Sequence, residues 1–307
     1  MSTLGVAAMS LALAACQTTS TTIGASEPRP ETALKLESNG RLLLVKNPGE
    51  LPGAFYGALY VPPERKLGTR IPAVIFVHGT SGVDSRYNFH REAMVKARIA
   101  VFELDLKTGV YNRLKDAPPS TKFQSAAFAA LKRLRQDYAI DPDRVAFMGF
   151  SLGGNMAMQL ASSGIRDRYM KGGPGFAAFL SFYGGCDWVY DREKSLNSKQ
   201  ICSPVRDDCR FEGEPTGKPM YILTAELDSY GDGKTCQGFA EVLNKRSPGM
   251  VKLKIYPGAY HAFDKEGVNW SGSDNYSSSI VAKYDEKVAL DSRKEAVAFL
   301  RRVFGME

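Results

Sequence analysis

The feature that most constrains this chain is a strand, a glycine-flanked serine turn and a helix in immediate succession. Val145-Ala-Phe-Met148 is an apolar, β-prone run. Gly149-Phe150-Ser151-Leu152-Gly153 follows it, and Asn155-Met-Ala-Met-Gln-Leu160 reads as a helix. A tight strand-to-helix turn leaves no room for side chains beside the serine. Glycines at 149 and 153 therefore suit a nucleophile elbow, which presents the Ser151 hydroxyl at a helix N-terminus. The five-residue pattern alone says little: at glycine frequencies of about 7%, roughly one unrelated chain in ten of this length contains it. The flanking strand and helix decide the matter. The competing reading, a glycine turn in a nucleotide-binding sheet, lacks a Gly-x-Gly-x-x-Gly at the first strand–helix unit.

The rest of the chain repeats that alternation. Continuous apolar runs at 72–77, 98–104, 144–150, 176–183, 219–224 and 251–256 predict strands covered on both faces. Helical spacing marks a stretch from about Tyr87, then 122–138, 152–162, 235–244 and 289–303. Segments 41–45 and 54–61, around the Pro52-Gly53 turn, predict antiparallel entry strands. The expected class is α/β, a mostly parallel, doubly wound sheet with helices on both faces. With 307 residues, 44% of them hydrophobic, the chain can bury one large core. A single domain over 37–307 is expected, with the polar, cysteine-bearing stretch 187–216 as an insertion on the sheet rim. Trp188-Val-Tyr190 in that insertion either lines a substrate pocket or packs the insertion itself. The net charge of +7 is scattered, and short clusters such as Lys132-Arg133-Leu134-Arg135 suit a solvated helix face. No nucleic-acid partner is expected.

Residues 1–16 read as an export signal. Leu4 to Ala15 is apolar but too short to span a bilayer. Leu13-Ala14-Ala15-Cys16 resembles a bacterial lipobox, whose Cys16 is lipidated and becomes the mature N-terminus. The signal departs from the usual pattern because the first basic residue is Arg29. Residues 17–36, rich in Ser, Thr, Pro and Glu, suit a flexible tether. The expected location is the bacterial envelope or periplasm. Four cysteines remain after Cys16, and export favours disulfides among them. Cys186 and Cys236 each follow a predicted strand end, and Cys202 and Cys209 are close in sequence. The expected pairs are Cys186–Cys236 and Cys202–Cys209. No Cys-x-x-Cys or Cys/His cluster points to zinc, and neither metal nor cofactor is expected.

A serine hydroxyl near neutral pH needs a base. The chain has only three histidines: His78, His90 and His261. Where an elbow carries the nucleophile, the chain order is Ser, acid, His, and only His261 follows Ser151. It lies just beyond the predicted 251–256 strand. The acid must lie between them, after a strand. Asp228 follows the 219–224 strand at a suitable offset, with Glu226 and Asp232 as competitors. Its job is to fix the imidazole tautomer and stabilise the imidazolium. The developing oxyanion needs two backbone N–H donors. They are assigned to Leu152, after the nucleophile, and Thr80, in the His78-Gly79-Thr80-Ser81-Gly82 loop after the 72–77 strand. His78 is read as a structural loop histidine and His90 as a surface helix residue.

His78-Gly79, Gly149-Phe-Ser-Leu-Gly-Gly154, the Asp228 strand end, Tyr256-Pro-Gly-Ala-Tyr-His261-Ala-Phe-Asp264 and Tyr284-Asp285 together resemble the dienelactone hydrolase family, over about residues 54–304. Tyr-Pro-Gly-Ala-Tyr-His is the most specific piece. The resemblance implies an α/β-hydrolase fold and a nucleophile–acid–His triad mapping onto Ser151, Asp228 and His261. The namesake enzymes carry Cys where this chain has Ser151, and Glu where it has Gly79. Both departures point away from the namesake lactone, and the export signal with the cysteine-bearing segment points to an exported, serine-nucleophile branch.

The expected function is a serine hydrolase cleaving a carboxylic ester or lactone through an acyl-enzyme on Ser151, with a small-molecule substrate. The membrane would enter only through the N-terminal lipid. The alternatives are a peptidase or acyltransferase with the same triad, or a non-catalytic envelope binding lipoprotein on the same fold.

Overall fold

The computed structural model describes residues 40–47, 53–107, 120–189, 211–231, 233–273 and 279–306. They all belong to one unit, Glu31–Glu307. The expected signal, Cys16 and the tether lie outside the described residues, as do Tyr190, the side chain of Trp188, Cys202, Cys209 and Asp232.

An eight-stranded sheet organises the molecule. Its strands are β1 Gly40–Lys46, β2 Ala54–Tyr60, β3 Ile71–Val77, β4 Ala100–Asp105, β5 Ile140–Phe150, β6 Phe179–Phe182, β7 Met220–Ala225 and β8 Val251–Tyr256. They lie in the order β1-β2-β4-β3-β5-β6-β7-β8. β1 pairs antiparallel with β2, and β2 antiparallel with β4. Every pairing from β4 to β8 is parallel. The expected doubly wound α/β class is therefore the one observed.

The continuous apolar runs have a direct cause. Side chains alternate across a strand, and here each face meets its own helices. Ala73, Ile75 and Val77 of β3 pack in a core with α2 (Ser120–Arg135), α3 (Leu152–Leu160) and α5 (Gly233–Arg246). Val74 and Phe76 pack in the opposite core with α1 (Ser85–Lys96) and α6 (Glu286–Val303). A polar residue at any of these positions would sit unsatisfied in one core or the other.

The early start of β5 and three further elements were not expected. β5 begins at Ile140, before Asp141-Pro142, because Ile140 pairs with Ile71 and the register slips before Val145 pairs with Ala73. Pro142 sits in that irregularity, where no ladder hydrogen bond from its nitrogen is needed. A short helix α4, Ser163–Met170, starts at Ser162, whose side chain accepts from the Ile165 N–H. Finally, β9 Asn269–Gly272 and β10 Ile280–Lys283 form a separate antiparallel pair beyond the His261 loop.

The Cys186–Cys236 disulfide forms, joining the turn after β6 to α5 with 5.1 Å between Cα atoms. Both cysteines are fully buried.

Candidate active site

The site assembles at the C-terminal ends of β5, β7 and β8, where the parallel strands release their loops. Ser151 occupies the sharp turn from β5 into α3, with φ 54° and ψ −112°. That conformation is strained for an L-residue. Hydrogen bonds from Ser151 N to the Phe182 carbonyl and from Asn155 N to the Ser151 carbonyl, both 2.9 Å, hold it. The flanking glycines are sterically required. A Cβ on Gly149 would stand 1.9 Å from the Gly153 carbonyl oxygen, and one on Gly153 would stand 2.3 Å from that of Val77.

His261 reaches Ser151 from the loop after β8. Its Nε2 lies 3.1 Å from Ser151 Oγ, and its Nδ1 lies 2.8 Å from Asp228 Oδ2. With the ring proton on Nδ1 and donated to Asp228, the Nε2 lone pair accepts the serine hydroxyl. Asp228 is 5% exposed and His261 7%. The other Asp228 oxygen accepts the Tyr230 N–H at 2.9 Å, which fixes the carboxylate plane. Glu226, the competing acid, points elsewhere: its side chain accepts the Gly258 N–H at 2.8 Å and braces the turn before His261.

The loop carrying His261 is secured from the distant β10 segment. Lys283 N donates to the His261 carbonyl at 3.1 Å, and Asp285 N donates to that of Phe263 at 2.9 Å. The imidazole itself meets two aromatic rings edge-on. Tyr183 approaches with its ring centroid at 5.0 Å and Tyr230 with its centroid at 4.8 Å.

Thr80, in the loop after β3, and Leu152, the first residue of α3, line one narrow cavity of about 10 Å³, room for roughly one water molecule. The Leu152 N–H is in the first turn of α3, where N–H groups have no partner within the helix. Gly79 lies against the nucleophile, and a Cβ there would stand 3.2 Å from Ser151 Cβ. His78 is buried and structural. Its Nδ1 donates to the Gly79 carbonyl at 2.7 Å, and its Nε2 accepts the Leu106 N–H at 3.1 Å. Burial lowers its pKa, favouring the neutral ring these bonds require.

His90 corrects the sequence reading. It is not a surface residue but has no exposed area at all, and its Nε2 lies 2.7 Å from Asp264 Oδ2. The reason is that α1 turns a polar face inward: Arg86, His90 and Arg91 are all buried. Arg91 pairs with buried Glu103 at 2.7 Å. Arg86 donates to Asp84 through Nε (2.7 Å) and Nη2 (2.5 Å), and to the Tyr183 hydroxyl through Nη1 (3.0 Å). Tyr183 in turn donates to Asp264 Oδ1 at 2.5 Å. Sequence reasoning missed Tyr183, Tyr230, Arg86 and Asp264. Only the Asp264 position, inside the His261 motif, offered a signal.

Among the described residues, no group of three or more His, Cys, Asp or Glu side chains is placed to hold a metal ion. The Trp188–Tyr190 stretch begins in a short 3-10 turn, Cys186–Trp188, and Val189 is buried in the core.

The strand order, the strained elbow and the Ser–His–Asp hydrogen-bond chain define an α/β-hydrolase of the serine type. The match is also direct at the level of sequence: residues 55–304 fit the model of the dienelactone hydrolase family. The chain belongs to that family. No curated protein sequence matches it. Among solved structures, native esterase 2 of the planctomycete Thermogutta terrifontis superposes with a TM-score of 0.63 at 18% identity, covering 87% of this chain and 93% of that one. The same esterase with propionate bound gives 0.62 at 17% identity, with 87% and 95% covered. Its form phosphonylated by cyclosarin gives 0.62 at 18%, again with 87% and 95% covered. At such identity these likenesses speak for the fold alone.

Proposed function

We propose that this protein is a serine hydrolase that cleaves carboxylic esters or lactones through an acyl-enzyme on Ser151. The observation that carries the reading is the unbroken chain from Ser151 Oγ through both nitrogens of His261 to Asp228. Its geometry suits proton exchange between Ser151 Oγ and His261 Nε2, with Nδ1–H held by Asp228. As Ser151 Oγ bonds to the substrate carbonyl carbon, His261 Nε2 takes the hydroxyl proton, and Asp228 stabilises the resulting imidazolium. The carbonyl oxygen takes up the negative charge, and its two donors are assigned to the backbone N–H groups of Leu152 and Thr80. Collapse of this intermediate breaks the carbonyl–alkoxy bond, and His261 returns the proton to the leaving alcohol. A water then repeats the sequence, releasing the acid and regenerating Ser151. No step needs a cofactor.

The strained Ser151 favours an enzyme over a binding lipoprotein on the same fold. Strain at a buried turn costs stability, and a module that only binds has no use for it. A peptidase or acyltransferase would share the acyl-enzyme but differ in leaving group or acceptor. Labelling by a fluorophosphonate, located by mass spectrometry, tests the reading. The label is expected on Ser151 and absent from Ser151→Ala; an unlabelled wild type, or equal labelling of the variant, would overturn it. A panel of esters and lactones of increasing acyl length, with peptides as the contrast, identifies the substrate class. Short acyl groups come first, because the similarly folded esterase is known with propionate and butyrate bound.

We further propose that the protein is exported to the bacterial envelope, with residues 1–15 removed and Cys16 lipidated as the mature N-terminus. The buried Cys186–Cys236 bond supports an oxidising compartment. Mass spectrometry of the native N-terminus tests it: a lipidated Cys16 is expected, and an unprocessed Met1 would refute it.

A further inference from the structure

Behind His261 lies a buried polar network that the reaction as described does not use. Arg86 is 4% exposed, Asp264 2%, and Tyr183 and His90 are fully buried. Placing charges in such a setting costs desolvation, and apolar side chains of similar volume commonly serve stability as well or better. Stability therefore gives no account of why these four residues meet here, directly under the triad.

Their geometry does. Tyr183 follows β6 with a positive φ of 38°. Its backbone is held by a 2.7 Å bond from its N–H to the Leu223 carbonyl. Its ring meets the His261 imidazole edge-on, at 5.0 Å and an interplanar angle of 70°. The Tyr183 hydroxyl is pinned on both sides, accepting from Arg86 Nη1 and donating to Asp264 Oδ1. Asp264 follows His261 by three residues, and its second oxygen is bound by His90. The ring wall and the loop that carries His261 are thus fastened to the same carboxylate.

Arg86 reaches the other two loops of the site. Its guanidinium lies over the ring of Phe150, the residue before Ser151, at 5.6 Å. Its Nη2 stands 3.8 Å from where a Cβ on Gly79 would lie, beside the oxyanion loop. Opposed to the desolvation cost, Tyr183 and Asp84 hold the guanidinium firmly protonated. Burial keeps His90 neutral, which suits donation from Nε2 alone. Its Nδ1 has no hydrogen-bond partner among the described residues.

We propose that Arg86, Tyr183, Asp264 and His90 are positioning residues that hold the His261 imidazole and the Gly79–Thr80 loop in register with Ser151. The proposal rests on the serine-hydrolase reading. Small displacements at such a site are expensive in rate, because the reacting atoms must be nearly aligned before reaction.

The test compares Tyr183→Phe and Arg86→Lys with wild type. It measures p-nitrophenyl acetate hydrolysis, the rate of fluorophosphonate labelling, and folding by near-ultraviolet circular dichroism. Tyr183→Phe keeps the ring and removes only the pinned hydroxyl; Arg86→Lys keeps the charge and loses the fork. Each is expected to lower kcat and the labelling rate about tenfold with KM within about twofold, as for lost alignment rather than lost binding. The double variant is expected to be no slower than the slower single one, because the residues act as one unit. Leu134→Ala, in the opposite core, is the control: it lowers stability and leaves the labelling rate unchanged. If Tyr183→Phe does not fold, Arg86→Lys carries the same test. A labelled wild type with folded variants that label as fast would refute the network's role while leaving the hydrolase standing. A wild type that does not label would refute both.

Discussion

Reducing the Cys186–Cys236 bond should lower the stability of this protein by an amount that its place in the chain sets. The two cysteines are separated by 50 residues. The chain-entropy relation for a loop of that size gives about 4 kcal/mol at 25 °C, lost when the unfolded chain is freed of its cross-link. Unfolding entropy of about 2.1 cal/mol/K per residue sums to roughly 0.6 kcal/mol/K over the chain, so Tm should fall by about 6–7 °C. Because both sulfurs are buried, alanine substitution would add a cavity cost to this figure. Comparing oxidised with fully reduced protein avoids that, since the thiols keep the volume. The background should be Cys202→Ala/Cys209→Ala, so that no other bond is broken by the reductant. Calorimetry with and without reductant, together with thiol counting in denaturant, supplies the assay. A shift under about 1 °C, or two free thiols in the oxidised sample, would refute the reasoning.

Three further outcomes are expected. Asp228→Asn should leave the fold intact and lower kcat by about 10³–10⁴, because the amide no longer selects the Nδ1–H tautomer; a loss below tenfold on ester substrates would show that Asp228 is not the orienting acid. Gly149→Ala should cost more than about 4 kcal/mol, since its methyl would meet backbone rather than a movable side chain; urea unfolding at near-wild-type midpoint would disprove the packing. Burial depresses the pKa of both His78 and His90 below the ordinary 6.5. The unfolded chain therefore binds protons first as pH falls, and stability should decline from about pH 6.5 downward until the folded rings protonate in turn. Unfolding enthalpies measured in buffers of different ionisation enthalpy near pH 5.5 should reveal net proton uptake on unfolding, reduced in a His78→Gln/His90→Gln variant; unfolding without proton uptake would contradict their neutral, buried state.

The parts of this molecule that were legible in the sequence are those encoded by short-range pattern. Strands buried on both faces are apolar over most of their length, so β3, β4, β5 and β7 announce themselves, although β4 also buries Glu103 and Asp105. The elbow is legible for a similar reason, because only glycine fits at 149 and 153. The misreading of His90 has the opposite origin. α1 buries Arg86, His90 and Arg91, and helical periodicity counts such residues as solvent-facing. α4 buries only Ile165, and β9 is exposed along its whole length, so neither carries an apolar signature. Glu226 and Asp228 were hard to rank because both leave the same strand end. Only the hydrogen bonds to Gly258 and His261 separate them.

By itself, then, the sequence determined the α/β class, the order Ser, acid, His, and the residues from which a triad could be drawn. Tertiary structure alone decided that Ser151 and His261, 110 residues apart, stand 3.1 Å from one another. It alone brought His90 to Asp264 across 174 residues and placed Tyr183 between Arg86 and that carboxylate. The physical reason is common to all of these. Burial and backbone geometry restrict each residue locally and so leave a periodic trace. A buried polar group is defined by its partner, and the partner is chosen by how the sheet and helices pack.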